Sequence, residues 1–272
     1  MPDKTEVRER EERAPQRPQR EVSRIFRAEV TAVIDLTPHL RRLTIHAPEL
    51  ANYETVGPDE YLGPILPRTE ADPLVLPDAS NPAAIRAAVA ELPEDVRPDL
   101  RWYTVREHRP EASELDIDFV VHGDEGPGSR FALRARPGSV LGVRECSALY
   151  ALPDGARSRV IIGDESSLPA IARILETTLD EPEPFVFIET ADPRDRMELA
   201  APVQWVDRVG EPGIALEAAV RESALPQEID YAWVCGERVG VQNIRRHLVA
   251  DRGVAKSRIT FSGYWRLGEV RA

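Results

Sequence analysis

The residues best suited to chemistry in this chain begin with R-W-Y-T-V-R, which starts at Arg101. On an extended strand, Arg101, Tyr103 and Val105 would share one face. The Tyr103 ring can stack on a flat heterocycle such as the isoalloxazine of a flavin. The Thr104 hydroxyl can bond the polar edge of that heterocycle, and the forked guanidinium of Arg101 or Arg106 can bind phosphate. An ordinary strand with surface arginines explains the same residues, so this segment alone does not decide between the two.

A glycine-rich turn follows at H-G-D-E-G-P-G-S, where a predicted strand ends and a short helix begins. Gly126 and Gly128 would let the backbone approach a ligand closely. Ser129 can cap the helix, and the free N–H groups of the first turn would then point at a pyrophosphate. His122 lies on the polar face of the strand, where it can reach a flavin or its phosphates. A tight turn that binds nothing, with a solvated histidine, is the alternative.

A different junction occurs at I-I-G-D-E-S-S-L-P-A, where a buried strand passes through glycine into a helix. Open α/β sheets bind nucleotides at this end of their strands. The spacing G-x-G-x-x-G is missing, and Asp164 and Glu165 would repel phosphate if they faced it. A plain strand–helix connection is the alternative. The candidate residues here are Gly163, Asp164, Glu165 and Ser166.

Two later segments carry a similar signal. W-V-C-G-E again leads from a strand into a helix at Glu237, and Gly236 would permit the close approach of a cofactor. Cys235 either lies beside a nicotinamide or is a small buried residue. Further along, G-Y-W-R offers Tyr264 and Trp265, which would cover a ligand or pack on the surface.

The elements that must position the first two segments are predicted to be short strands with turn residues between them, which favours a closed antiparallel barrel. A proline-rich connection over residues 58–98 interrupts them. It contains a predicted helix, Pro82–Leu92, with Asn81 as the N-cap. A long connection with its own helix is often functional. The predicted strands are Ala28–Asp35, His39–His46, Arg101–Arg106, Leu115–His122 and Ser139–Val143.

The pattern then changes to alternating strands and helices, which predicts a Rossmann-like parallel sheet with helices on its faces. The predicted strands are Arg159–Ile162, Phe185–Glu189, Val203–Val206, Tyr231–Cys235 and Arg258–Phe261. The predicted helices are Leu168–Leu179, Ile214–Val220 and Val239–Ala250. We therefore expect an antiparallel barrel domain over residues 22–154 and an α/β domain over residues 155–272. Residues 1–21 are highly charged and almost without apolar side chains, so we predict a disordered tail there.

Composition excludes several classes of function. The 272 residues are enough for two domains, and the net charge of −12 argues against general binding to nucleic acid or anionic membranes. Cys146 and Cys235 lack metal-site spacing and indicate buried thiols in a reducing compartment. No secretory signal and no apolar run long enough to span a membrane are present. We expect a cytoplasmic protein, and the sequence does not indicate an oligomeric state.

Taken in order, these segments resemble the siderophore-interacting protein family, a branch of the ferredoxin–NADP reductase superfamily. The resemblance extends from about residue 25 to residue 268. It implies FAD in the barrel, NADH or NADPH on the α/β domain, and reduction of a ferric siderophore to release iron. The most specific matches are R-x-Y-T-V-R from Arg101, V-x-H-G-x-x-G-P-x-S from Val120, G-D-E-x-x-L-P-A from Gly163 and G-Y-W-R from Gly263.

The same resemblance implies roles for the candidate residues. It implies no general base, and we assign no catalytic residue, since the flavin itself would convert a two-electron donor to a one-electron one. Arg101, Tyr103 and Thr104 would hold the flavin, and His122, Gly128 and Ser129 its phosphate region. Gly163, Asp164, Glu165, Gly236 and Glu237 would line the nicotinamide site, and Tyr264 and Trp265 would lie near the flavin.

One departure from the family concerns the acceptor. Gly63 stands where many members carry a lysine that helps to hold an anionic ferric complex. Arg68, Arg130 and Arg266 are the candidates to supply that charge. The alternatives are reduction of a flavin, a quinone or a partner redox protein, or flavin binding without turnover.

The choice of coenzyme stays open at this stage. Glu189 ends the second predicted α/β strand, where a carboxylate can bond ribose hydroxyls and disfavour a 2′-phosphate. Arg194 and Arg196 follow closely and would favour one.

Overall fold

The computed structural model describes residues 17–78, 85–121, 123 and 126–269, and it places them in two compact units. Gln19–Ala148 forms the first unit, and the second begins at Leu149. Residues 1–16 of the predicted tail lie outside the described residues. Within the rest of the predicted tail, Arg20 is held by the carboxylate of Glu60 at 2.6 Å and lies 4.8 Å from the centre of the Tyr53 ring.

The first unit is an antiparallel sheet in the order β4-β3-β8-β1-β2-β7-β6, with β5 paired to β3. Two helices accompany it, α1 (Ile85–Glu91) and α2 (Pro127–Arg134). The N-terminal part of the predicted helix Pro82–Leu92, including its cap, lies outside the described residues. The strands are β1 (Ile25–Thr37), β2 (Leu40–His46), β3 (Tyr61–Leu66), β4 (Asp99–Leu100), β5 (Tyr103–Thr104), β6 (Glu107–Arg109), β7 (Glu114–Val120) and β8 (Val140–Glu145).

One segment closes this sheet. β5 pairs with β3, and β6, which follows directly in the chain, pairs with β7 at the other edge. Between them, the Val105 amide donates to the Glu60 carbonyl and the Arg106 amide donates to the Asp116 carbonyl. The segment therefore bonds to both ends of the sheet, and the predicted antiparallel barrel is confirmed.

The prediction of one continuous strand over Arg101–Arg106 is wrong. The chain pairs with β3 only at β4 and β5, and it then crosses to β7. The crossing occurs at Val105, whose side chain enters the barrel core and is 1% exposed. Burying an apolar side chain at the crossing stabilises the break between the two pairings.

The strand β7 follows the predicted alternation. Leu115, Ile117 and Phe119 are fully buried in the barrel core. Asp116 and Asp118 face the other side and are also buried, because arginines from neighbouring strands cover them.

The second unit is a five-stranded parallel sheet in the order β11-β10-β9-β12-β13, which confirms the Rossmann-like prediction. The strands run past the glycines that were expected to end them, because those glycines take part in the strand pairing: Gly236 pairs with Gly263, and Gly163 pairs with Cys235. No helix in the described part of the chain is long and apolar enough to cross a membrane. The elements are β9 (Arg159–Asp164), α3 (Leu168–Thr177), β10 (Pro184–Thr190), β11 (Val203–Asp207), α4 (Ile214–Glu222), β12 (Tyr231–Glu237), α5 (Arg238–Ala250) and β13 (Ile259–Trp265).

Candidate functional site

In the barrel unit, three polar side chains in and beside β5 have few or no hydrogen-bond partners among the described residues. The partly buried guanidinium of Arg101 donates only to the neighbouring Leu100 carbonyl, at 2.7 Å, and no carboxylate among the described residues is ion-paired with it. The hydroxyls of Tyr103 and Thr104 make no hydrogen bond to any described residue. Burial lowers the pKa of Arg101 below its ordinary value. Partly buried polar groups without partners are costly unless a ligand or water satisfies them.

Further guanidiniums surround Arg101. Those of Arg86 and Arg130 lie close enough to lower its pKa further, and Arg130 does the same to Arg134, after the larger effect of burial. Arg86 also lies over the Trp102 ring, 4.4 Å from its centre. Asp99 acts on the pKa of Arg101 in the opposite direction and more strongly than either arginine. Arg86, Arg101, Arg130 and Arg134 form an arginine cluster in a chain with a net charge of −12. This cluster suits an anionic ligand.

The start of α2 adjoins the same residues. Its N-cap, Gly126, provides no capping side chain, and the Ser129 hydroxyl donates to the Val120 carbonyl at 3.1 Å. The expectation that Ser129 caps the helix is therefore wrong. Gly126 itself has no side chain with which to cap the first turn of α2.

Gly128, in this turn, lies against the side chain of Tyr103 in β5. A Cβ atom at Gly128 would lie 1.8 Å from the Tyr103 hydroxyl oxygen, so only glycine allows the Tyr103 ring to lie here. The same ring packs on Phe119, with centroids 4.1 Å apart. The structure thus brings together the two segments that sequence analysis assigned to the flavin. His122 lies outside the described residues.

Two other residues of R-W-Y-T-V-R, Val105 and Arg106, contact other parts of the barrel. Arg106 lies 3.8 Å from the Asp118 carboxylate of β7, and Val105 belongs to the barrel core. Of the two arginines in this segment, Arg101 is the one left for a ligand.

In the second unit, the candidate residues meet at the carboxyl ends of β9, β12 and β13. Asp164 is buried, and one of its carboxylate oxygens accepts from the Ser166 amide at 2.9 Å. The other accepts from the Glu237 amide at 2.7 Å and from the Trp265 indole Nε1 at 2.9 Å. Burial, and next the charge of Glu165, raise the pKa of Asp164 to about 6.

The two motif glycines make room for protein atoms at this edge. Gly236 has φ +153°, and a Cβ there would lie 2.7 Å from the Asp164 carboxylate. A Cβ at Gly163 would lie 1.9 Å from the Ser167 hydroxyl and 2.8 Å from the Cys235 carbonyl. Cys235 itself is fully buried, in keeping with the small-residue interpretation.

A second cluster lies at the ends of β9, β10 and β11. Arg208 donates to the Glu165 carboxylate at 2.6 Å and to Glu189 at 3.0 Å. Glu189 is fully buried and also accepts from the backbone amides at the start of α4, Gly213 at 3.0 Å and Leu216 at 3.3 Å. The interpretation of Glu189 as a ribose ligand is therefore wrong, since its carboxylate is occupied.

Glu237 and the aromatic pair complete this edge. Glu237 caps α5 through the amides of Val239 and Gly240, at 2.6 and 2.9 Å, and also accepts from the Leu267 amide at 3.3 Å. Tyr264 packs edge-to-face on Trp233 with centroids 6.4 Å apart. The Arg208 guanidinium lies 5.7 Å from the centre of the Trp265 ring.

Sequence reasoning missed Arg208 and the bond between Asp164 and Trp265. The signal available for Arg208 was its place two residues after the predicted strand Val203–Val206. No sequence signal pairs Asp164 with Trp265, because their strands are separated by β12.

Little space is left between this edge of the sheet and the helices α4 and α5. A cavity of about 10 Å³, lined partly by Gly163, Gly213, Gly236 and Gly240, has room for at most one water molecule. This cavity is too small for a dinucleotide. No group of side chains able to hold a metal ion occurs among the described residues.

Comparison with known proteins agrees with both halves of this arrangement. Residues 29–148 match the siderophore-interacting FAD-binding domain, and residues 156–268 match the siderophore-interacting protein domain. Ferric vibriobactin reductase ViuB of Vibrio cholerae is 31% identical over 241 residues, which are 86% of each chain. The NADPH-dependent ferric-chelate reductase of Escherichia coli is 25% identical, over 87% of this chain and 91% of its own.

The fold agrees as well. The crystal structure of the siderophore-interacting protein SipS from Aeromonas hydrophila superposes with a TM-score of 0.74 at 31% identity, and the match covers 91% of this chain and 93% of that one. Two consecutive domain matches, a relative above 30% identity and a shared fold all lead to one conclusion. This chain belongs to the siderophore-interacting protein family and carries its FAD-binding domain.

Proposed function

We propose that the protein is an FAD-containing, NAD(P)H-dependent reductase of ferric siderophores, which releases iron as Fe(II). Its relatives in Vibrio cholerae and Escherichia coli bear names of ferric-chelate reductases and align over most of their length. The observation that carries the proposal is the guanidinium of Arg101, which is ion-paired with no described carboxylate and lies inside the arginine cluster, beside the hydroxyls of Tyr103 and Thr104.

The residues of the barrel unit fit FAD. Arg101 and the start of α2, whose N-cap is Gly126, would hold the pyrophosphate by hydrogen bonds. Tyr103 offers its ring for stacking and its hydroxyl for a hydrogen bond, and Thr104 offers a second hydroxyl. When bound, FAD takes a hydride from a nicotinamide coenzyme and passes electrons on singly. Ferrous iron is held less tightly than ferric iron by hard oxygen ligands, so reduction releases the substrate metal.

We assign the flavin to residues 22–154 and the coenzyme to the carboxyl edge of the sheet within residues 155–272. NADPH is the coenzyme that we propose. The Escherichia coli relative is NADPH-dependent by name, and the buried, occupied carboxylate of Glu189 is not presented to a 2′-phosphate. The kcat/KM for NADPH should exceed that for NADH; a ratio in favour of NADH would refute this choice of coenzyme.

A comparison of acceptors tests the reaction itself. The purified protein, given FAD and NADPH, should reduce a ferric catecholate or hydroxamate siderophore, with Fe(II) trapped by a ferrous-specific chelator. Free flavin, a quinone and cytochrome c serve as the competing acceptors. Preference for one of these over every ferric siderophore would move the function to that acceptor. FAD binding without oxidation of NADPH or NADH would leave a non-catalytic flavin protein.

We also propose that the reaction takes place in the cytoplasm. Cys146 and Cys235 are both buried free thiols, which suits the cytoplasmic location expected from the sequence. The acceptor is a small molecule, and the net charge of −12 gives no support for a nucleic-acid partner.

A further inference from the structure

Three sequence motifs of the second unit converge on a single carboxylate oxygen. Asp164 of G-D-E places its Oδ2 atom 2.7 Å from the Glu237 amide of C-G-E and 2.9 Å from the indole Nε1 of Trp265 in G-Y-W-R. The other oxygen of Asp164 is held by the amide and the hydroxyl of Ser166. One buried side chain therefore fixes the ends of β9, β12 and β13 together.

The bond to Trp265 crosses a strand. β9 and β13 both pair with β12, which lies between them, so their side chains meet only by passing over its end. The residue passed over is Gly236, where a Cβ would lie 2.7 Å from the same Oδ2 atom. Glycine at this position is required by the bond between Asp164 and Trp265, whatever ligand the edge takes.

The strand β13 is also adapted to this bond. Gly236 pairs with Gly263, but Glu237 pairs with Trp265, so Tyr264 is an extra residue in β13. Such a bulge re-aims the side chain that follows it. Tyr264 packs on Trp233, and the indole of Trp265 turns to Asp164.

We propose that Asp164 is a positioning residue, which holds the indole of Trp265 and the following residues 266–269 at the carboxyl edge where the nicotinamide coenzyme binds. The coenzyme in this statement rests on the proposed function; the clamp between Asp164 and Trp265 does not.

The charged groups around Asp164 make the clamp sensitive to pH. Glu165 follows it in the chain, directly after the end of β9, and Glu237 of β12 has a carboxylate that caps α5. Arg208 lies over the Trp265 ring and is ion-paired with Glu165 and Glu189. Burial and the charge of Glu165 together place the pKa of Asp164 at about 6. Protonation removes the charge that strengthens the indole hydrogen bond, so the clamp loosens as pH falls through this value.

An NMR titration tests the clamp directly. The full chain, labelled with ¹⁵N-tryptophan, is titrated from about pH 5 to about pH 8, and Trp265→Phe assigns the indole resonance. The Trp265 indole N–H should shift with a midpoint near the pKa of Asp164, and the shift should vanish in Asp164→Asn. Asp230→Asn is the matched control, because Asp230 also accepts from two backbone amides and a hydroxyl, before β12 begins. In Asp230→Asn, the Trp265 indole resonance should titrate as it does in the wild type.

The wild-type titration is decisive even if a variant does not fold. A Trp265 indole resonance that does not titrate would overturn the clamp, as would an unchanged titration in Asp164→Asn. Either result leaves the proposed reductase function standing, since no turnover is involved.

Kinetics then test the functional half. Asp164→Asn should raise the KM for the nicotinamide coenzyme by roughly fivefold, and the same change in a Trp265→Phe background should raise it by less than twofold, because residues that act through one contact are not additive. Equal effects in both backgrounds would mean that Asp164 does not act through Trp265.

Discussion

At the scale of single residues, side chains of the same type differ in whether the protein supplies them with a partner. Arg101 and Arg106 are equivalent in the sequence, yet β7 supplies Asp118 to Arg106, and no described carboxylate pairs with Arg101. Asp164, Glu165 and Glu237 lie at strand–helix junctions that were predicted to bind a nucleotide. All three make hydrogen bonds or ion pairs within the protein. Which residues bind a ligand could be predicted only as a set, because their partners come from strands distant in the sequence.

Replacement of Arg101 tests the flavin site. Arg101→Gln should weaken FAD binding by roughly tenfold to a hundredfold, since it removes a charge-assisted hydrogen bond to phosphate worth about 1.5–3 kcal/mol. FAD affinity is measured by the quenching of flavin fluorescence on titration with apoprotein. Arg27→Gln is the control, because Arg27 is an exposed arginine of the same barrel. Equal FAD affinity in Arg101→Gln and the wild type would remove Arg101 from the site.

Arg208 is expected to be far more important for stability than a neighbouring arginine. Arg208→Gln leaves the buried carboxylates of Glu165 and Glu189 uncompensated, which should cost about 3–5 kcal/mol of unfolding free energy. Arg196→Gln breaks a pair with Asp207, whose side chain is 65% exposed, and should cost less than about 1 kcal/mol. Urea unfolding of both variants measures the difference. Similar losses for the two would contradict the assignment of Arg208 as the central cation of this edge.

At the scale of elements, hydrophobic periodicity was sufficient for most strands and helices. β7 alternates as predicted, and the three helices of the second unit begin within a residue of their predicted starts. Periodicity could not show the break between β5 and β6 or the bulge at Tyr264, because each depends on the register with a neighbouring strand.

The bulge and the clamp make Gly236 intolerant of a side chain. Gly236→Ala places a Cβ against the Asp164 carboxylate, at φ +153°, and should lower stability well beyond the conformational cost alone. Gly210→Ala measures that cost, because Gly210 has φ +75° with no atom near its absent Cβ, and it should lose about 1 kcal/mol. Thermal unfolding compares the two variants. A loss in Gly236→Ala no greater than in Gly210→Ala would contradict the close contact with Asp164.

At the scale of the whole molecule, the architecture could be predicted from the change in rhythm along the chain, from short strands with turns to alternating strands and helices. The resemblance to one family added the cofactors. The chain is strongly acidic, but several of its acids cap helices or pair with arginines. The arginine cluster is where we propose that the anionic FAD binds.

Buried acids also give the protein a pH-dependent stability. The pKa of Asp164 lies at about 6, above the ordinary 3.8, so the folded protein binds this proton more tightly than the unfolded chain does. This contribution to stability is complete below about pH 4, is lost as pH rises through about 6, and amounts to about 3 kcal/mol. Glu60 and Glu165, whose pKa values burial also raises, act in the same direction, whereas Asp116, with a pKa lowered by Arg109 against the effect of burial, acts in the opposite one.

Unfolding in urea at a series of pH values checks the Asp164 share. Between about pH 4 and about pH 7, the wild type should lose about 3 kcal/mol of stability relative to Asp164→Asn, whose side chain does not titrate. Parallel profiles for the two proteins would contradict the raised pKa of Asp164.

The most direct test of the proposed function is an anaerobic absorbance experiment on the purified protein reconstituted with FAD. Addition of NADPH should bleach the flavin absorbance, and a ferric siderophore added next should restore it while Fe(II) accumulates on a ferrous-specific chelator. Protein that takes up no FAD, or bleached flavin that a ferric siderophore does not reoxidise, would contradict the function proposed here.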